Sequence, residues 1–313
     1  MIYPDLDIDY NNMYIRVKVR QMKKILMTGG TGFVGSNVLS ILQENKNNKI
    51  IYPTRDELNL KNEKEVVNFI KEKDFDVILH FANPTPAKNQ LDSFDTLMED
   101  GLRIFLNFYN HRNLFGKMIY TGSGAEFDKT LHMNKVSEED CFRSIPQDSY
   151  GLSKMIMNQL ADQSDNIYNF RIFGCYGPGD HESKFITHCI RSVILNKPIT
   201  IRKDCQFDYI HVYDFAKYVE WGINNNLKFH SYNVSSGKKY FLTEIAQMVT
   251  KLMNSNLEIK VLSEQLNNNY SADNNRIVRE SGLIPSLSLE EGIKQQIMWE
   301  EDNWSENTRF DGE

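Results

Sequence analysis

A glycine-rich loop between an apolar segment and an amphipathic segment constrains the fold of this chain more than any other feature. Residues 24–27 form a short, mostly apolar run, and residues 34–43 carry apolar side chains at the spacing of a helix. The loop between them reads Thr28-Gly29-Gly30-Thr31-Gly32-Phe33-Val34-Gly35. The order of these features predicts a buried strand, a tight turn and a helix.

The equal spacing of Gly29, Gly32 and Gly35 indicates what this loop holds. In such a unit the first glycine permits the turn, the second lets backbone approach a pyrophosphate, and the third lets helix and strand pack closely. The helix N-terminus adds N–H donors and the positive end of its dipole. A glycine-rich turn without a ligand is the alternative. The residues predicted to bind a dinucleotide here are Gly29, Thr31, Gly32, Phe33, Val34 and Gly35.

Apolar strand-like runs alternate with amphipathic, helix-length segments through the first half of the chain. Strands this apolar belong to parallel sheets that are covered on both faces. We therefore predict an α/β protein with a Rossmann-type doubly wound parallel sheet and a smaller, mixed α/β C-terminal substrate domain. The predicted divisions are an N-terminal tail (1–22), a dinucleotide-binding domain (23–174 and 206–237) and a substrate-binding domain (175–205 and 238–313).

Composition and charge argue against several classes of function. The 313-residue chain has a net charge of -6, which disfavours nucleic acid or an anionic membrane as its partner. It has no apolar stretch of about 18 residues, and its first 21 residues lack the apolar region of a secretory signal. The four cysteines lack CxxC spacing and the histidines lack metal-ligand spacing. We expect a cytoplasmic protein without a metal.

The residues after the second predicted strand bear on the choice of dinucleotide. An acidic side chain there accepts a hydrogen bond from the ribose 2′-hydroxyl of NAD, whereas an arginine suits the 2′-phosphate of NADP. Arg55 is the first charged residue after this strand, and Asp56 follows it. Because a planar guanidinium matches phosphate geometry, Arg55 favours NADPH or NADP. Asp56 keeps NAD as the alternative.

A second motif, Tyr150-Gly151-Leu152-Ser153-Lys154, lies on a predicted helix over residues 149–163. Tyr150 and Lys154 are four residues apart, so both project from one face. A nearby ammonium favours the phenolate form and should lower the pKa of the tyrosine. Ser123 ends a predicted strand, where its hydroxyl would be exposed to a bound dinucleotide. Ser123, Tyr150 and Lys154 are thus the predicted catalytic residues of a hydride-transfer enzyme.

Together these motifs resemble the extended short-chain dehydrogenase/reductase superfamily, in particular its NAD-dependent epimerase/dehydratase branch, which acts on nucleotide sugars. The resemblance extends from Lys24 to about Trp299 and includes the segments 81–83, 171–178, 208–214 and 270–276. It implies a nucleotide-sugar substrate and a homodimer with a four-helix interface built from residues 94–109 and 149–163. The further cofactor contacts that it implies are Asn59, Leu60, Phe81, Ala82, Asn83 and Phe173.

Differences from the branch narrow the chemistry. Its dehydratases follow the serine or threonine position with Asp-Glu, but here Gly124-Ala125 follow Ser123, and neither can transfer a proton. The segment 54–60 is similar to that of GDP-fucose synthases, which implies a 2′-phosphate contact for Arg55. The cysteine and histidine with which those enzymes epimerise would fall at Ala125 and near Lys184, so double epimerisation is not expected.

Three functions remain open. The first is NADPH-dependent reduction of the C4 keto group of a nucleotide-activated sugar, such as a GDP- or CDP-linked deoxyhexose or heptose, for a surface glycan such as capsule or lipopolysaccharide. The second is an NAD-dependent 4-epimerase that retains its cofactor. The third is a non-catalytic dinucleotide-binding regulator, which the intact Tyr150 and Lys154 disfavour.

Substrate contacts are harder to assign, because Phe207 stands where many relatives carry a phosphate-binding arginine. We predict Arg276 as the replacement, with Arg191, Arg202 and Lys203 as alternatives. Glu126 is expected in a loop that faces the substrate, and Lys184 could contact the sugar. His80 is predicted to be an interior histidine.

Overall fold

The computed structural model describes residues 22–85 and 92–304 in full, together with the backbone of residues 6–9 and 14–17. Strands and helices alternate along the first half of the chain. These elements are β1 (Leu6–Asp9), β2 (Tyr14–Val17), β3 (Lys23–Thr28), α1 (Phe33–Glu44), β4 (Asn48–Ile51), α2 (Glu63–Lys73), β5 (Phe75–His80), α3 (Leu97–Tyr109) and β6 (Phe115–Ser123).

The second half has shorter strands, and short 3₁₀ helices occur at Arg112–Leu114, Gly124–Glu126 and Glu138–Asp140. Its other elements are β7 (Met133–Val136), α4 (Ser149–Asp162), β8 (Ile167–Ile172), β9 (Gly174–Tyr176), α5 (Phe185–Ile194), β10 (Ile199–Ile201), β11 (Gln206–Phe207), β12 (Tyr209–His211), α6 (Val212–Asn224), β13 (Ser231–Val234), β14 (Tyr240–Phe241), α7 (Leu242–Leu252), β15 (Ile259–Val261), β16 (Tyr270–Ala272), α8 (Asn275–Ser281) and α9 (Leu289–Asn303).

Six strands form one parallel sheet in the order β13–β8–β6–β5–β3–β4. Strand β3 comes first in the chain among these six, and its two neighbours, β4 and β5, come next. The chain therefore leaves β3 in both directions across the sheet. In open parallel sheets this switch point creates a ligand crevice beyond the carboxyl ends of the strands. The predicted α/β fold with a Rossmann-type sheet is confirmed.

Side chains alternate between the two faces of this sheet, and both faces are buried. Ile25 and Met27 of β3 pack into one hydrophobic cluster with α1 and α6, whereas Leu26 packs into a second cluster with α2, α3 and α4. All three residues are fully buried. Covering both faces is why these strands are apolar throughout, without an alternating polar pattern.

The C-terminal part has its own hydrophobic cluster, formed by α5, α7, α9 and β10. A separate small sheet, in the order β14–β11–β16–β7, joins strands that are distant in sequence. The division into two domains remains a prediction. In the N-terminal tail β1 pairs antiparallel with β2, and the predictions for residues 1–5, 10–13 and 18–21 lie outside the described residues.

The short strands are where the sequence prediction was wrong. The apolar pattern of residues 208–212 predicts one buried strand, but the structure has β11, β12 and then α6, which begins at Val212. Strands β7 and β16 were not predicted. Segments of two to four residues are too short to show a hydrophobic period in the sequence. These strands form because segments distant in the chain pair with them.

Candidate active site

The glycine loop connects β3 to α1 at the switch point of the sheet. Gly29 has φ of 72°, and a Cβ there would lie 2.6 Å from the amide nitrogen of Ala82. A Cβ on Gly35 would lie 2.0 Å from the carbonyl oxygen of Gly29. Both positions therefore require glycine. Gly29 is needed for its backbone conformation and for the close approach of the segment after β5, and Gly35 is needed for close packing of α1.

Hydrogen bonds hold the loop against the end of β5. The amide of Phe81 donates to the carbonyl of Thr28 at 3.1 Å, and the amide of Ala82 donates to Thr28 Oγ1 at 3.3 Å. Thr28 Oγ1 also lies 3.0 Å from Nδ1 of His80. Burial lowers the pKa of His80 to about 3, helped by the charge of Lys154. His80 is thus neutral and interior, as predicted.

This arrangement fits a dinucleotide pyrophosphate. Thr31 and Gly32 are exposed, and Gly32 is the N-cap of α1, which begins at Phe33. The first turn of α1 contains no acidic side chain that would repel a phosphate. Val34 is partly buried against the first hydrophobic cluster, so the helix that would receive the phosphates is anchored in the core.

Arg55 lies in the loop after β4 and already has an acidic partner. Its two terminal nitrogens contact the two carboxylate oxygens of Asp92 at 3.2 and 3.0 Å. The Arg55 side chain is 58% exposed, whereas the Asp92 side chain is 3% exposed. A 2′-phosphate at this guanidinium would have to share it with Asp92 or displace that carboxylate.

The other predicted cofactor contacts lie after β4 and β5. Asn59 is exposed, Leu60 is partly buried against the second hydrophobic cluster, and Asn83 donates from Nδ2 to the carbonyl of Pro84 at 2.8 Å. These loops follow the two strands that flank β3. Their roles toward a cofactor remain predictions.

Ser123 ends β6 and caps the following 3₁₀ turn, its Oγ accepting a hydrogen bond from the amide of Ala125 at 3.1 Å. This turn packs directly on α4, because a Cβ at Gly151 would lie only 2.3 Å from the carbonyl oxygen of Ala125. The glycine beside Tyr150 therefore lets the helix approach the strand end. This packing brings Tyr150 near Ser123, whose hydroxyl acts to lower the pKa of the phenol.

Lys154 lies one turn further along α4. Its Nζ donates to the carbonyl of Thr121 at 2.9 Å and lies 5.9 Å from the ring centroid of Tyr150. Burial lowers the pKa of Lys154 to about 8, although the carboxylate of Glu126 opposes this shift. The ammonium is thus held at the base of the site by a backbone oxygen.

The electrostatics of Tyr150 differ from the prediction. We expected Lys154 to lower the pKa of the phenol. In the structure, burial raises the pKa of Tyr150 above its ordinary value, and the hydrogen bond from Ser123 lowers it by a smaller amount. Desolvation disfavours the phenolate more than its hydrogen-bond partner favours it. In this state Tyr150 is a protonated phenol and therefore a proton donor.

Binding of a dinucleotide is expected to draw a proton onto Lys154. Anionic phosphates would raise the pKa of this ammonium from about 8, so that above this pH binding is accompanied by proton uptake. Calorimetric titrations in two buffers of different ionisation enthalpy, half a unit above that pKa, measure the uptake. Lys154→Met should abolish it, and equal uptake by the variant would contradict this origin.

Glu126 departs from its expected position. We predicted that it faces the substrate, but its side chain is 0% exposed and forms an ion pair with Arg171, with Nε 2.6 Å from Oε2. Its other oxygen accepts from the amide of Ser123 at 2.9 Å, and Asn169 donates to both oxygens. Glu126 therefore supports the loop that carries Ser123 from inside the protein.

Arg171 connects this carboxylate to the edge of the sheet. Its Nη1 donates to Oδ1 of Asn233 at 2.8 Å, and its guanidinium lies 5.1 Å from the ring centroid of Phe127. Burial alone would lower the pKa of Arg171, but the carboxylate of Glu126 keeps the pKa above its ordinary value. The guanidinium of Arg171 therefore stays charged in the interior because of the Glu126 carboxylate.

The structure also corrects the prediction for Arg276. Its guanidinium contacts the carboxylates of Glu138 and Glu139, and Nη1 donates to the carbonyl of Ser231 at 2.9 Å. Ser231 begins β13, so these contacts lie toward the amino end of that strand and away from the carboxyl edge. Lys184 is exposed at the N-cap of α5, and its sugar contact remains a prediction.

Tyr270 belongs to this site and was missed from the sequence. Its hydroxyl lies over Gly124, where a Cβ would be 2.3 Å from it. Its ring contacts those of Phe173 and Phe207, with centroids 5.2 and 4.5 Å away. Its position depends on the pairing of β16 with the distant strands β11 and β7, which no local signal reveals.

Among the residues that the structure describes, no group of three or more histidine, cysteine, aspartate or glutamate side chains could hold a metal ion. No helix in this described part is long and apolar enough to cross a membrane. All four cysteines are free thiols.

The geometry combines a dinucleotide loop after β3 with a serine at the end of β6 and with a tyrosine and a lysine on α4. A sequence profile of the NAD dependent epimerase/dehydratase family matches residues 25–235, which include all of these groups. The chain belongs to this family. The match ends within the segment after β13, so the C-terminal elements lie outside it.

Known proteins of this family are distant from the chain. GDP-L-fucose synthase of Azorhizobium caulinodans is 23% identical over 301 residues, covering 88% of this chain and 96% of that protein. A trifunctional UDP-glucose 4,6-dehydratase/UDP-4-keto-6-deoxy-D-glucose 3,5-epimerase/UDP-4-keto-L-rhamnose-reductase of Arabidopsis thaliana is 21% identical over 90% of this chain, which spans about half (48%) of that protein.

Among solved structures, GDP-mannoheptose C4 reductase from Campylobacter jejuni, with NADP bound, has a TM-score of 0.78 and 21% identity. The comparison covers 90% of this chain and 99% of the reductase. At this identity the likeness shows the shared fold.

Proposed function

We propose that this protein reduces the C4 keto group of a nucleotide-activated sugar with NADPH. The observation that carries the proposal is that Ser123 and Tyr150 lie near each other at the end of β6, while the one carboxylate of the adjoining turn, Glu126, is turned into the protein interior. Gly124 and Ala125 cannot transfer protons, and Glu126 is buried in its ion pair with Arg171. The site thus has donors for a ketone oxygen but lacks, in this turn, an acid/base pair for dehydration.

Each side chain has a separate task in this reaction. The dinucleotide supplies the hydride. Ser123 and Tyr150 hold the ketone oxygen by hydrogen bonds, and Tyr150 donates its phenolic proton as negative charge develops there. Lys154 keeps a positive charge near the phenol and binds the ribose. The protonated state of Tyr150 described above suits the reductive direction.

A nucleotide-linked substrate needs cations for its phosphates. Arg276 and Arg191 are each paired with two glutamates, Arg191 with Glu182 and Glu300. Arg202 and Lys203 are exposed between β10 and β11. We therefore assign the phosphate contact to this Arg202–Lys203 pair in place of Arg276.

The proposed assembly is a homodimer through α3 and α4. The two helices pack on each other, and Gly101 of α3 approaches Met157 and Ser153 of α4, where a Cβ would lie 3.6 and 3.9 Å from them. Their outer surfaces would form a four-helix interface with a second copy.

One observation favours the alternative function, an NAD-dependent 4-epimerase. The Asp92 carboxylate already occupies both terminal nitrogens of Arg55. A carboxylate at this position would repel a 2′-phosphate and tolerate a 2′-hydroxyl. An epimerase of this kind would retain NAD through purification and need no added reductant.

Arg55→Ala is expected to weaken NADPH binding by on the order of 10- to 100-fold, the range for a charged hydrogen bond, and to leave NADH binding unchanged. Asp92→Asn should strengthen NADPH binding, because it frees the guanidinium. Arg279→Ala, at an exposed arginine on α8, is the control. Fluorescence titrations with both dinucleotides measure these changes. Equal NADH and NADPH affinities in the unaltered protein would favour the epimerase.

The reaction itself is tested with GDP-, CDP- and dTDP-linked 4-keto sugars. The reductase function is supported if NADPH absorbance falls with one of these sugars and does not fall with the Tyr150→Phe variant. Interconversion of C4 epimers without added reductant would overturn it.

A further inference from the structure

Tyr270 is held rigidly by aromatic neighbours. It begins β16, and in the small sheet it pairs with Phe207 of β11. The Phe207 ring stacks on it with centroids 4.5 Å apart and planes inclined by 23°, and Phe173 contacts it at 5.2 Å. The ring plane is thus set from two sides, so that the hydroxyl has a defined position.

The Tyr270 hydroxyl fills the space over Gly124, the residue that follows Ser123. A Cβ on Gly124 would lie 2.3 Å from the Tyr270 hydroxyl and 2.7 Å from its Cζ. The phenol therefore fills the volume that any larger residue following the serine would need. Burial and the charge of Tyr150 raise the pKa of Tyr270, whereas a hydrogen bond with the side chain of Ser123 lowers it.

Three hydroxyl groups therefore lie close together, because the Tyr270 hydroxyl lies over Gly124, next to Ser123, and the Ser123 hydroxyl also acts on the pKa of Tyr150. A serine hydroxyl has one proton to donate and two acceptor positions. The amide of Ala125 occupies one acceptor position at 3.1 Å. If Tyr270 donates to the second acceptor position, both acceptor positions of the Ser123 oxygen are filled. Ser123 can then only donate its own proton, which points toward Tyr150 and the substrate oxygen.

We propose that Tyr270 is a positioning residue that donates a hydrogen bond to Ser123 Oγ and so directs the Ser123 hydroxyl at the substrate oxygen. This inference rests on the proposed ketoreductase function. Tyr270 acts through Ser123 and does not itself touch the reacting carbonyl. A donated hydrogen bond also polarises the serine hydroxyl and makes it a stronger donor.

Tyr270→Phe keeps the ring and its stacking but removes the hydroxyl. We expect kcat with NADPH and the 4-keto sugar to fall on the order of 10-fold, the effect of one hydrogen bond, with little change in KM. The matched control is Tyr209→Phe, which alters a neighbouring ring of the same aromatic stack, 4.8 Å from that of Phe207. A Tyr270→Phe variant with unaltered kcat would overturn the proposal.

A double-mutant cycle separates positioning from a general structural role. In a Ser123→Ala background, Tyr270→Phe should cause no further loss, because the group through which it acts is absent. If the two losses multiply, Tyr270 acts independently of Ser123 and the proposal is wrong. Gly124→Ala provides a second approach, since it displaces the hydroxyl and should lower kcat in the same direction.

A titration without substrate distinguishes failure of this inference from failure of the proposed function. With tyrosine labelled at ¹³Cζ, NMR follows the pKa of Tyr150, assigned through Tyr150→Phe. Tyr270→Phe should raise the pKa of Tyr150, because Ser123 is no longer aligned to donate to the phenolate, and Tyr209→Phe should not. If the unaltered protein consumes no NADPH but this shift occurs, only the proposed function fails. If the shift is absent, the Tyr270 assignment fails.

Discussion

Replacing Tyr150 with phenylalanine is expected to lower kcat about 10²- to 10⁴-fold, the range for loss of a positioned general acid. The variant removes one hydroxyl from a half-buried side chain and leaves the ring in place. Ser123 can still hold the ketone oxygen, but no phenolic proton is available as charge develops on it. The measurement is single-turnover oxidation of NADPH by the 4-keto sugar that the unaltered protein accepts.

The controls test whether this loss is chemical. Dinucleotide binding and the free energy of unfolding should change little, since the ring stays in place and Lys154 keeps its bond to Thr121. Activity within a few-fold of the unaltered protein would rule out Tyr150 as the acid. Intact biological activity of this variant would favour the non-catalytic regulator.

Glu126→Gln is expected to destabilise the protein by about 3–5 kcal/mol, the cost of leaving one partner of a buried ion pair uncompensated. Glutamine retains the size of the side chain, but its neutral amide cannot balance the guanidinium of Arg171, which is 0% exposed. Urea unfolding with linear extrapolation measures the change in the free energy of unfolding.

A matched control for this effect is Glu139→Gln. The Glu139 side chain is 66% exposed and also pairs with an arginine, Arg276. Exposed ion pairs contribute only about 0–1 kcal/mol, so this variant should unfold near the urea concentration of the unaltered protein. Equal effects of the two substitutions would mean that burial of the Glu126–Arg171 pair has no energetic consequence.

Several parts of the site follow from local sequence. The left-handed backbone at Gly29 and the close packing of Gly35 on Gly29 are set within a few residues, so their spacing was sufficient to predict them, whereas the approach of Ala82 to Gly29 comes from the sheet. Tyr150 and Lys154 share a face because helical geometry alone sets their relation. Ser123 could be placed at a strand end because β6 is long and apolar.

Within the site, the predicted contacts that the structure corrects are those of charged side chains. A loop carboxylate such as Glu126 and a late arginine such as Arg276 have the same appearance in sequence whether they face solvent, substrate or each other. Their partners, Arg171 for the first and Glu138 with Glu139 for the second, are brought to them by β8 and by packing of α8 on the sheet. The balance of burial and charge that sets the pKa of Tyr150 depends on the same packing.

By itself, the sequence determined the class of fold and the pairing of a dinucleotide loop with a Tyr–Lys helix. These depend on periodicity and on glycine geometry, which act over short distances along the chain. Only the tertiary structure decided that Glu126 turns inward, that Asp92 holds Arg55 and that Tyr270 meets Ser123. Those contacts join residues far apart in sequence, and their energies depend on desolvation, which exists only once the core has formed.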